Sequence, residues 1–109
     1  MTQHDPLSNV LTALADPSRR QILTRLRDHP VPVGELVAML PLTQPGVTRH
    51  LGVLERARLI RRRAEGRRRI CELTAAGLRP LDDWLADYRR FWGDALDKLA
   101  DLAEEPDDD

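Results

Sequence analysis

The sequence predicts a mainly α-helical domain with one small β-hairpin, arranged as a winged helix-turn-helix with a long C-terminal helix. Three observations lead to this fold class. Short apolar stripes at helical spacing, bounded by capping residues or prolines, fill residues 7–56. The period then changes, and two arginine-rich strand patterns flank a Glu-Gly-Arg turn. Beyond them an apolar repeat with alternating spacings of three and four residues runs from 78 to 102.

Four helices are predicted before the hairpin. Residues 7–15 carry apolar side chains at helical spacing and form the first helix. Asp16 and Pro17 suit the N-cap and first position of the second helix, which ends before Pro30. A short third helix covers 33–40, and Thr43 caps the fourth. The residues of the fourth helix that face inward are Val47, Leu51 and Leu54.

The hairpin and the last helix complete the prediction. Residues 59–64 and 68–73 are expected to form two strands, joined by the turn Glu65-Gly66-Arg67. A last helix is predicted over 74–104, and it begins at Thr74. Residues 105–109 are expected to form a disordered acidic tail.

Length and composition indicate one domain, 1–109, of which 7–73 form the helix-turn-helix and wing. The chain has 41% hydrophobic and 32% charged residues, and no apolar run approaches the roughly 20 residues of a membrane span. Its first residues lack the layout of a signal peptide. Cys71 is the one cysteine, so no disulfide can form within the chain. We therefore expect a cytoplasmic protein without a membrane partner.

The charges are distributed unevenly along the chain. Residues 1–79 contain 14 arginines and 7 acidic residues, whereas residues 80–109 contain 3 basic and 11 acidic residues. Eight of the arginines lie between Arg56 and Arg69. A basic body with an acidic end indicates binding to a polyanion, with the acidic part facing away. The alternative is two ordinary solvated surfaces.

The fourth helix offers polar side chains on its exposed side: Gln44, Thr48, Arg49 and His50. At a purine edge in the major groove of DNA, Gln can donate one hydrogen bond and accept another, and Arg can donate two. Thr43 and Thr48 are expected to contact phosphates. The sequence leaves two further roles open, since Thr43 can serve only as a cap and His50 can pack at the helix flank.

In the hairpin, the arginines nearest the turn are the best placed to reach DNA. These are Arg63, Arg67 and Arg68, which can contact the phosphate backbone or the minor groove. The remaining hairpin arginines are expected to pair with Glu65, Glu72 or the acidic last helix.

These segments resemble the ArsR/SmtB family of winged-helix repressors. The resemblance rests on residues 11–23 (LTALADPSRRQIL), 33–36 (VGEL), 44–51 (QPGVTRHL) with 53–54, 59–60, and 65–69 (EGRRR). It implies a homodimeric DNA-binding repressor that acts at a short inverted repeat. By position it places Gln44, Thr48, Arg49 and His50 on the recognition helix and Arg67 to Arg69 on the wing.

The sequence departs from the metal-sensing members of that family. Many of them bind metal through a Glu-Leu-Cys-x-Cys pattern in the third helix, where this chain has Val37 and Met39. A second known site uses His and carboxylates on the last helix, and residues 74–109 contain neither His nor Cys. We therefore expect no metal site and no cofactor. For Cys71, a buried strand residue and a lone redox switch both remain open.

The last helix predicts a pairing surface. A repeat of about 3.5 residues is typical of a helix packed along another helix. A two-fold homodimer through this helix, with the first helix beside it, would cover the apolar side chains. The alternative is a core helix within one chain, and the aromatic cluster could also line a pocket for a small unknown effector. The predicted interface residues are Leu81, Trp84, Leu85, Tyr88, Phe91, Trp92 and Leu99.

Two classes of function remain in competition at this point. The first is a sequence-specific dimeric DNA-binding regulator whose partner is a double-stranded operator. The second is a winged-helix protein-interaction module without sequence-specific DNA binding. An enzyme is not expected, because the sequence contains no glycine-rich phosphate loop and no nucleophile–base set on plausible elements.

Overall fold

The computed structural model describes residues 5–104 and confirms the predicted fold class. Five helices and a three-stranded antiparallel sheet follow one another along the chain. In order, they are α1 (Pro6–Leu14), α2 (Pro17–Leu26), β1 (Val31–Pro32), α3 (Val33–Met39), α4 (Gln44–Arg56), β2 (Ile60–Glu65), β3 (Arg68–Leu73), a 3-10 turn (Ala76–Leu78) and α5 (Arg79–Glu104). The predicted acidic tail at 105–109 lies outside the described residues.

Side-chain caps begin three of the helices, each followed by a proline in the first turn. Asp5 Oδ1 accepts from the Ser8 N–H at 2.7 Å, and α1 begins one residue earlier than predicted. Asp16 Oδ2 accepts from the Arg19 N–H at 3.1 Å. Thr43 Oγ1 accepts from the Gly46 N–H at 3.2 Å, which confirms Thr43 as a cap. These bonds satisfy N–H groups that have no partner within the helix.

The sheet has the strand order β1-β3-β2, and its first strand was not predicted. β1 has two residues, which pair with β3 through Val31 opposite Cys71. The hairpin of β2 and β3 is confirmed, with a tighter turn than predicted. Glu65 pairs with Arg68, so only Gly66 and Arg67 form the loop. Gly66 has a φ of 64°, a left-handed conformation that glycine adopts without strain.

The core lies where the first four helices meet the sheet. Val47, Leu51 and Leu54 of α4 are fully buried, as the helical spacing predicted. They belong to one hydrophobic cluster, to which the first four helices and all three strands contribute residues. The other fully buried large side chains are Val10, Ile22, Val31, Leu36 and Cys71.

The last helix begins at Arg79, not at Thr74 as predicted. The Thr74 N–H donates to the Leu59 carbonyl at 3.0 Å, and its hydroxyl donates to the Arg58 carbonyl. Both bonds close the base of the hairpin and hold Thr74 in an extended segment. A 3-10 turn then leads into α5, whose first turn contains Pro80.

The first turns of α5 pack against the core and α1, and the rest of the helix extends away from them. Leu81 is half-buried against the core, and α5 packs on α1. Beyond Leu85 almost all of its side chains are exposed. The radius of gyration is 17.8 Å, whereas a compact domain of this length would have about 13 Å. Within residues 5–104, no helix is long and apolar enough to cross a membrane.

Candidate nucleic-acid interface

The N-terminal half of α4 presents an exposed polar surface. Gln44, Thr48 and Arg49 are exposed, as is the capping residue Thr43. The opposite side of the same helix is buried through Val47. The core therefore fixes which way α4 faces, and three of the predicted contact residues point outward at its start. This is the geometry by which a recognition helix enters a major groove.

His50 lies at the flank of α4 and is turned toward α2. Its ring is half-buried, and Nδ1 lies 3.1 Å from Arg19 Nη1 and 3.9 Å from Asp16 Oδ2. This is the packing role that the sequence left open. The backbone N–H of Arg19, more than any other group, holds the pKa of Asp16 below its usual value. The sequence did not point to Arg19, because His50 lies 31 positions away from it in the chain.

An open groove of about 690 Å³ connects α4 to the wing. Gln44 and Thr48 of α4 line it together with Arg62, Arg68 and Arg69 of the wing. The start of α3 completes the lining and contributes one carboxylate, Glu35, which is paired with Arg25. The fold thus brings the polar start of α4 and the basic hairpin to one surface. A phosphate chain laid in this groove would meet donors from both sides.

Three of the hairpin arginines are held by carboxylates. Arg61 pairs with Glu72, and Arg63 Nε lies 3.0 Å from Glu72 Oε1. Arg63 Nη1 also lies 2.8 Å from Glu65 Oε1. The sequence predicted that hairpin arginines other than those nearest the turn pair with acidic residues such as Glu72, and Arg61 does so. Arg63, predicted among the DNA contacts, lies between two carboxylates, and its hydrogen bond is the largest cause of a lowered Glu72 pKa.

The third of these arginines, Arg62, connects the wing to α4. Arg62 Nη2 lies 2.6 Å from Glu55 Oε1, and the Arg62 N–H donates to Glu55 Oε2 at 3.2 Å. Both side chains are partly buried. The hydrogen bond from Arg62 holds the pKa of Glu55 below its usual value and raises that of Arg62. Since Glu55 lies in the last turn of α4, this contact fixes β2 against that helix. The sequence did not predict it.

The guanidinium groups nearest the turn remain available. Arg67 lies in the turn between the two strands, as the sequence predicted. Arg67, Arg68 and Arg69 are exposed, and their side chains make no hydrogen bond or ion pair within residues 5–104. The same is true of Arg49 on α4. These four cations are therefore free to meet an anion without first breaking an ion pair with a described residue.

Cys71 occupies the central strand and is fully buried. Burial raises the pKa of its thiol to about 11, so the group is a neutral thiol at physiological pH. Among residues 5–104, no three side chains of His, Cys, Asp or Glu come together as a set of metal ligands. The thiol has the environment of a core residue.

A second surface runs along α5 and is apolar. Trp84, Tyr88 and Trp92 form an aromatic row, with ring centroids 4.8 Å apart for the first pair and 5.4 Å for the second. Phe91 is 73% exposed and Leu99 is 61% exposed. Leu81 and Leu85 are half-buried at the base of the row. The surface includes all seven predicted interface residues, and most of it has no cover within the described chain.

Comparison with known proteins identifies the family. A model described as a helix-turn-helix domain matches residues 14–63. The HTH-type transcriptional regulator Rv2034 of Mycobacterium tuberculosis is 44% identical over 97 residues, which cover 89% of this chain and 88% of that protein. The transcriptional repressor SdpR of Bacillus subtilis is 26% identical over 82 residues, which cover 75% of this chain and 91% of SdpR.

Solved structures agree with this result. The crystal structure of an ArsR family transcriptional regulator matches with a TM-score of 0.74 and 32% identity, covering 82% of this chain and 98% of that one. These relatives are transcriptional regulators and not enzymes. Together with the exposed start of α4 and the basic wing, the matches show that the chain is a member of the ArsR family of winged helix-turn-helix, DNA-binding transcriptional regulators.

Proposed function

We propose that this chain is a sequence-specific, homodimeric transcriptional repressor that binds an inverted repeat in double-stranded DNA. The observation that carries the proposal is the groove between α4 and the wing. Exposed Gln44 and Thr48 line this groove together with the unpaired arginines Arg68 and Arg69. One surface therefore combines groups that can read base edges with groups that can hold phosphates.

We assign base contacts to Gln44 and Arg49 and phosphate contacts to Thr43 and Thr48. Arg67 and Arg68 would reach the backbone or the minor groove beside the site. Arg63 would contribute less than the sequence suggested, because its two carboxylate partners already neutralise it. Each two-point contact to a purine contributes about 1–3 kcal/mol of base discrimination.

The homodimer is proposed from the apolar surface of α5. An uncovered row of three aromatic rings, continued by Phe91 and Leu99, is larger than the scattered apolar side chains usual on a monomer. A second copy is the occupant whose surface matches by two-fold symmetry. Pairing would set two recognition helices about 34 Å apart, as adjacent major grooves require.

Repression and the absence of metal sensing are proposed from the relatives and the sequence. SdpR is a repressor by name. Val37 and Met39 occupy the places where metal-sensing members carry thiolates, so the proposed binding needs no metal or cofactor. We place its action in the cytoplasm. A small apolar effector held by the α5 aromatics stays a secondary proposal.

The test is DNA binding measured at several salt concentrations by fluorescence anisotropy. With about three phosphate contacts per protomer, the logarithm of the binding constant should fall with the logarithm of salt concentration at a slope near −5 for the dimer. The double substitution Arg67→Ala/Arg68→Ala should flatten that slope. Arg27→Ala/Arg79→Ala removes the same charge from exposed arginines outside the groove and should leave the slope unchanged.

The competing function is a winged-helix module that binds protein. Binding to duplex DNA that does not change between low and moderate salt would support that alternative. An operator selected from genomic fragments by the purified protein would support the repressor instead.

A further inference from the structure

The carbonyl groups at the end of α1 are bound by arginines from the next helix. Arg19 Nε donates to the Ala13 carbonyl at 2.9 Å, and its Nη2 donates to the Thr12 carbonyl at 2.9 Å. Arg20 Nη1 donates to the Leu14 carbonyl at 2.7 Å. The last carbonyls of a helix lack the usual partner one turn further on, so the arginines satisfy the Ala13 and Leu14 carbonyls, and Arg19 adds a second bond to the Thr12 carbonyl, which also accepts from the Ala15 N–H at 3.2 Å.

Arg19 makes one more bond to α1 than Arg20 does, and it alone of the two contacts α4. Its third nitrogen, Nη1, lies 3.1 Å from Nδ1 of His50 on α4. A guanidinium cannot accept a hydrogen bond, so Nδ1 is the acceptor and the neutral ring carries its proton on Nε2. One planar side chain therefore joins the end of α1 to the middle of the recognition helix. Asp16, at 3.9 Å from the same ring nitrogen, adds a favourable charge beside Arg19.

We propose that Arg19 is a positioning residue of the DNA-binding site and that His50 acts through it, without reading a base. This inference rests on the proposed function, in which α4 enters the major groove and α1 lies beside the pairing surface of α5. The half-burial of both side chains supports a fixed contact, since neither can swing freely into solvent.

Loss of this contact should displace the start of α4 measurably, because a small tilt of a rigid helix moves its distant end the most. His50 is six residues from Gln44, or about 9 Å along the helix axis. A tilt of about 10° around His50 would move the start of α4 by about 1.5 Å, which is enough to lose a two-point hydrogen bond to a base. The tilt would also change the separation of the two recognition helices in a dimer.

The experiment compares Arg19→Met with Arg20→Met, measured on a selected operator and on random duplex. Each substitution removes one positive charge and at least one bond to the end of α1, but only Arg19→Met loses the contact with α4. Arg19→Met should weaken operator binding at least tenfold more than Arg20→Met, with equal binding to random duplex. Circular dichroism and sedimentation should show both variants folded and with the same oligomeric state.

Substitutions at His50 provide the second comparison. His50→Asn keeps an acceptor near the position of Nδ1 and should bind the operator as the wild-type chain does. His50→Leu should weaken binding as Arg19→Met does, and the double variant Arg19→Met/His50→Leu should be no weaker than the weaker of the two. That non-additivity is the mark of two residues that act through one contact.

Three results would overturn the inference. Equal operator binding by Arg19→Met and Arg20→Met would remove the special role of Arg19. A parallel loss on random duplex, with a salt slope reduced by about one, would make Arg19 a direct phosphate contact. A changed base preference in His50→Asn would make His50 a reading residue. A wild-type chain that prefers no duplex sequence would instead defeat the proposed function, and the inference with it.

Discussion

Arg49 combines exposure, position and freedom from partners. It lies on the outward side of α4, and no acidic group of the described chain holds it. Arg49→Ala should weaken operator binding by about 1–3 kcal/mol and relax the preference at one base pair, because a guanidinium hydrogen-bonds two acceptors of guanine. Competition binding against operators substituted at each position measures both effects. Equal losses on operator and random duplex would show that Arg49 contacts only phosphate.

Gly77 is a single residue on which the connection to α5 depends. It is buried beneath the end of α4, and a Cβ atom at this position would collide with the backbone carbonyls of Arg58 and Ala57. Gly77→Ala should lower the free energy of unfolding by about 1–3 kcal/mol, because backbone must move to admit the methyl group. Urea denaturation measures the change.

Gly34 is the matched control for that substitution. It lies in α3, and apart from its chain neighbours and the backbone of its own helix, no atom of the described chain lies within 4 Å of the place where its Cβ would be. Gly34→Ala should stabilise the fold by up to about 1 kcal/mol, as alanine does in helices. A loss at Gly34 as large as at Gly77 would contradict the steric argument.

At the scale of elements, the wing is attached to α4 by the pair of Glu55 and Arg62. The pKa of Glu55 in the folded chain is lower than its usual value. The ionised group therefore stabilises the fold at pH values above the usual glutamate pKa, and that contribution is lost as the pH falls through the folded pKa. Glu55→Gln should cost about 1 kcal/mol at pH 7, and progressively less as the pH falls through the folded pKa of Glu55.

Thermal unfolding at several pH values tests this attachment. Glu35→Gln is a suitable control, because Glu35 forms an exposed pair with Arg25 at 3.1 Å that should contribute little. Glu72 and Asp16 also have lowered pKa values, so the wild-type chain should itself lose stability in acid. A Glu55→Gln variant that follows the wild-type curve at every pH would show that the pair does not stabilise the wing.

The elements that were predictable are those with local signals. Asp16 and Thr43 mark helix starts because a cap and its N–H partner are three residues apart. The spacing of Val47, Leu51 and Leu54 fixed the buried side of α4, and hence the exposed one. The hairpin was predicted from a change of period and from a Gly at the turn.

The elements that were missed depend on contacts between distant parts of the chain. β1 exists only because Val31 pairs with Cys71, forty positions away, and two residues carry no periodic pattern. Helix α5 begins late because Thr74 is bound to the base of the hairpin. The partners of Arg62 and Arg19 likewise lie on other elements. The sequence could show which arginines exist, but not which of them remain free.

For the whole molecule, the two surfaces lie on different elements, and one is basic whereas the other is apolar. The basic groove is built by α4 and the wing, whereas the apolar row lies along α5 among acidic side chains. This division would let the proposed dimer form through α5 without covering the arginines that would meet DNA. It would also keep the acidic side chains of α5 out of the groove, where the one acidic lining residue, Glu35, is paired with Arg25.

Substitution of Trp92 on α5 should affect both dimer formation and DNA binding. Its ring stacks on Tyr88 at 5.4 Å and is 39% exposed on the uncovered side of α5. If a second copy covers this row, Trp92→Ala should weaken the dimer by about 2–4 kcal/mol and shift the chain toward monomer. Operator binding should fall with it, because two half-sites would then be bound by separate chains, whereas contacts within one half-site should survive. Sedimentation velocity over a concentration series measures the first effect, and binding to a single half-site measures the second. Arg90→Ala on the same helix is the control and should leave the dimer intact. A Trp92→Ala chain that sediments as the wild-type dimer would mean that the recognition helices are paired by some other surface.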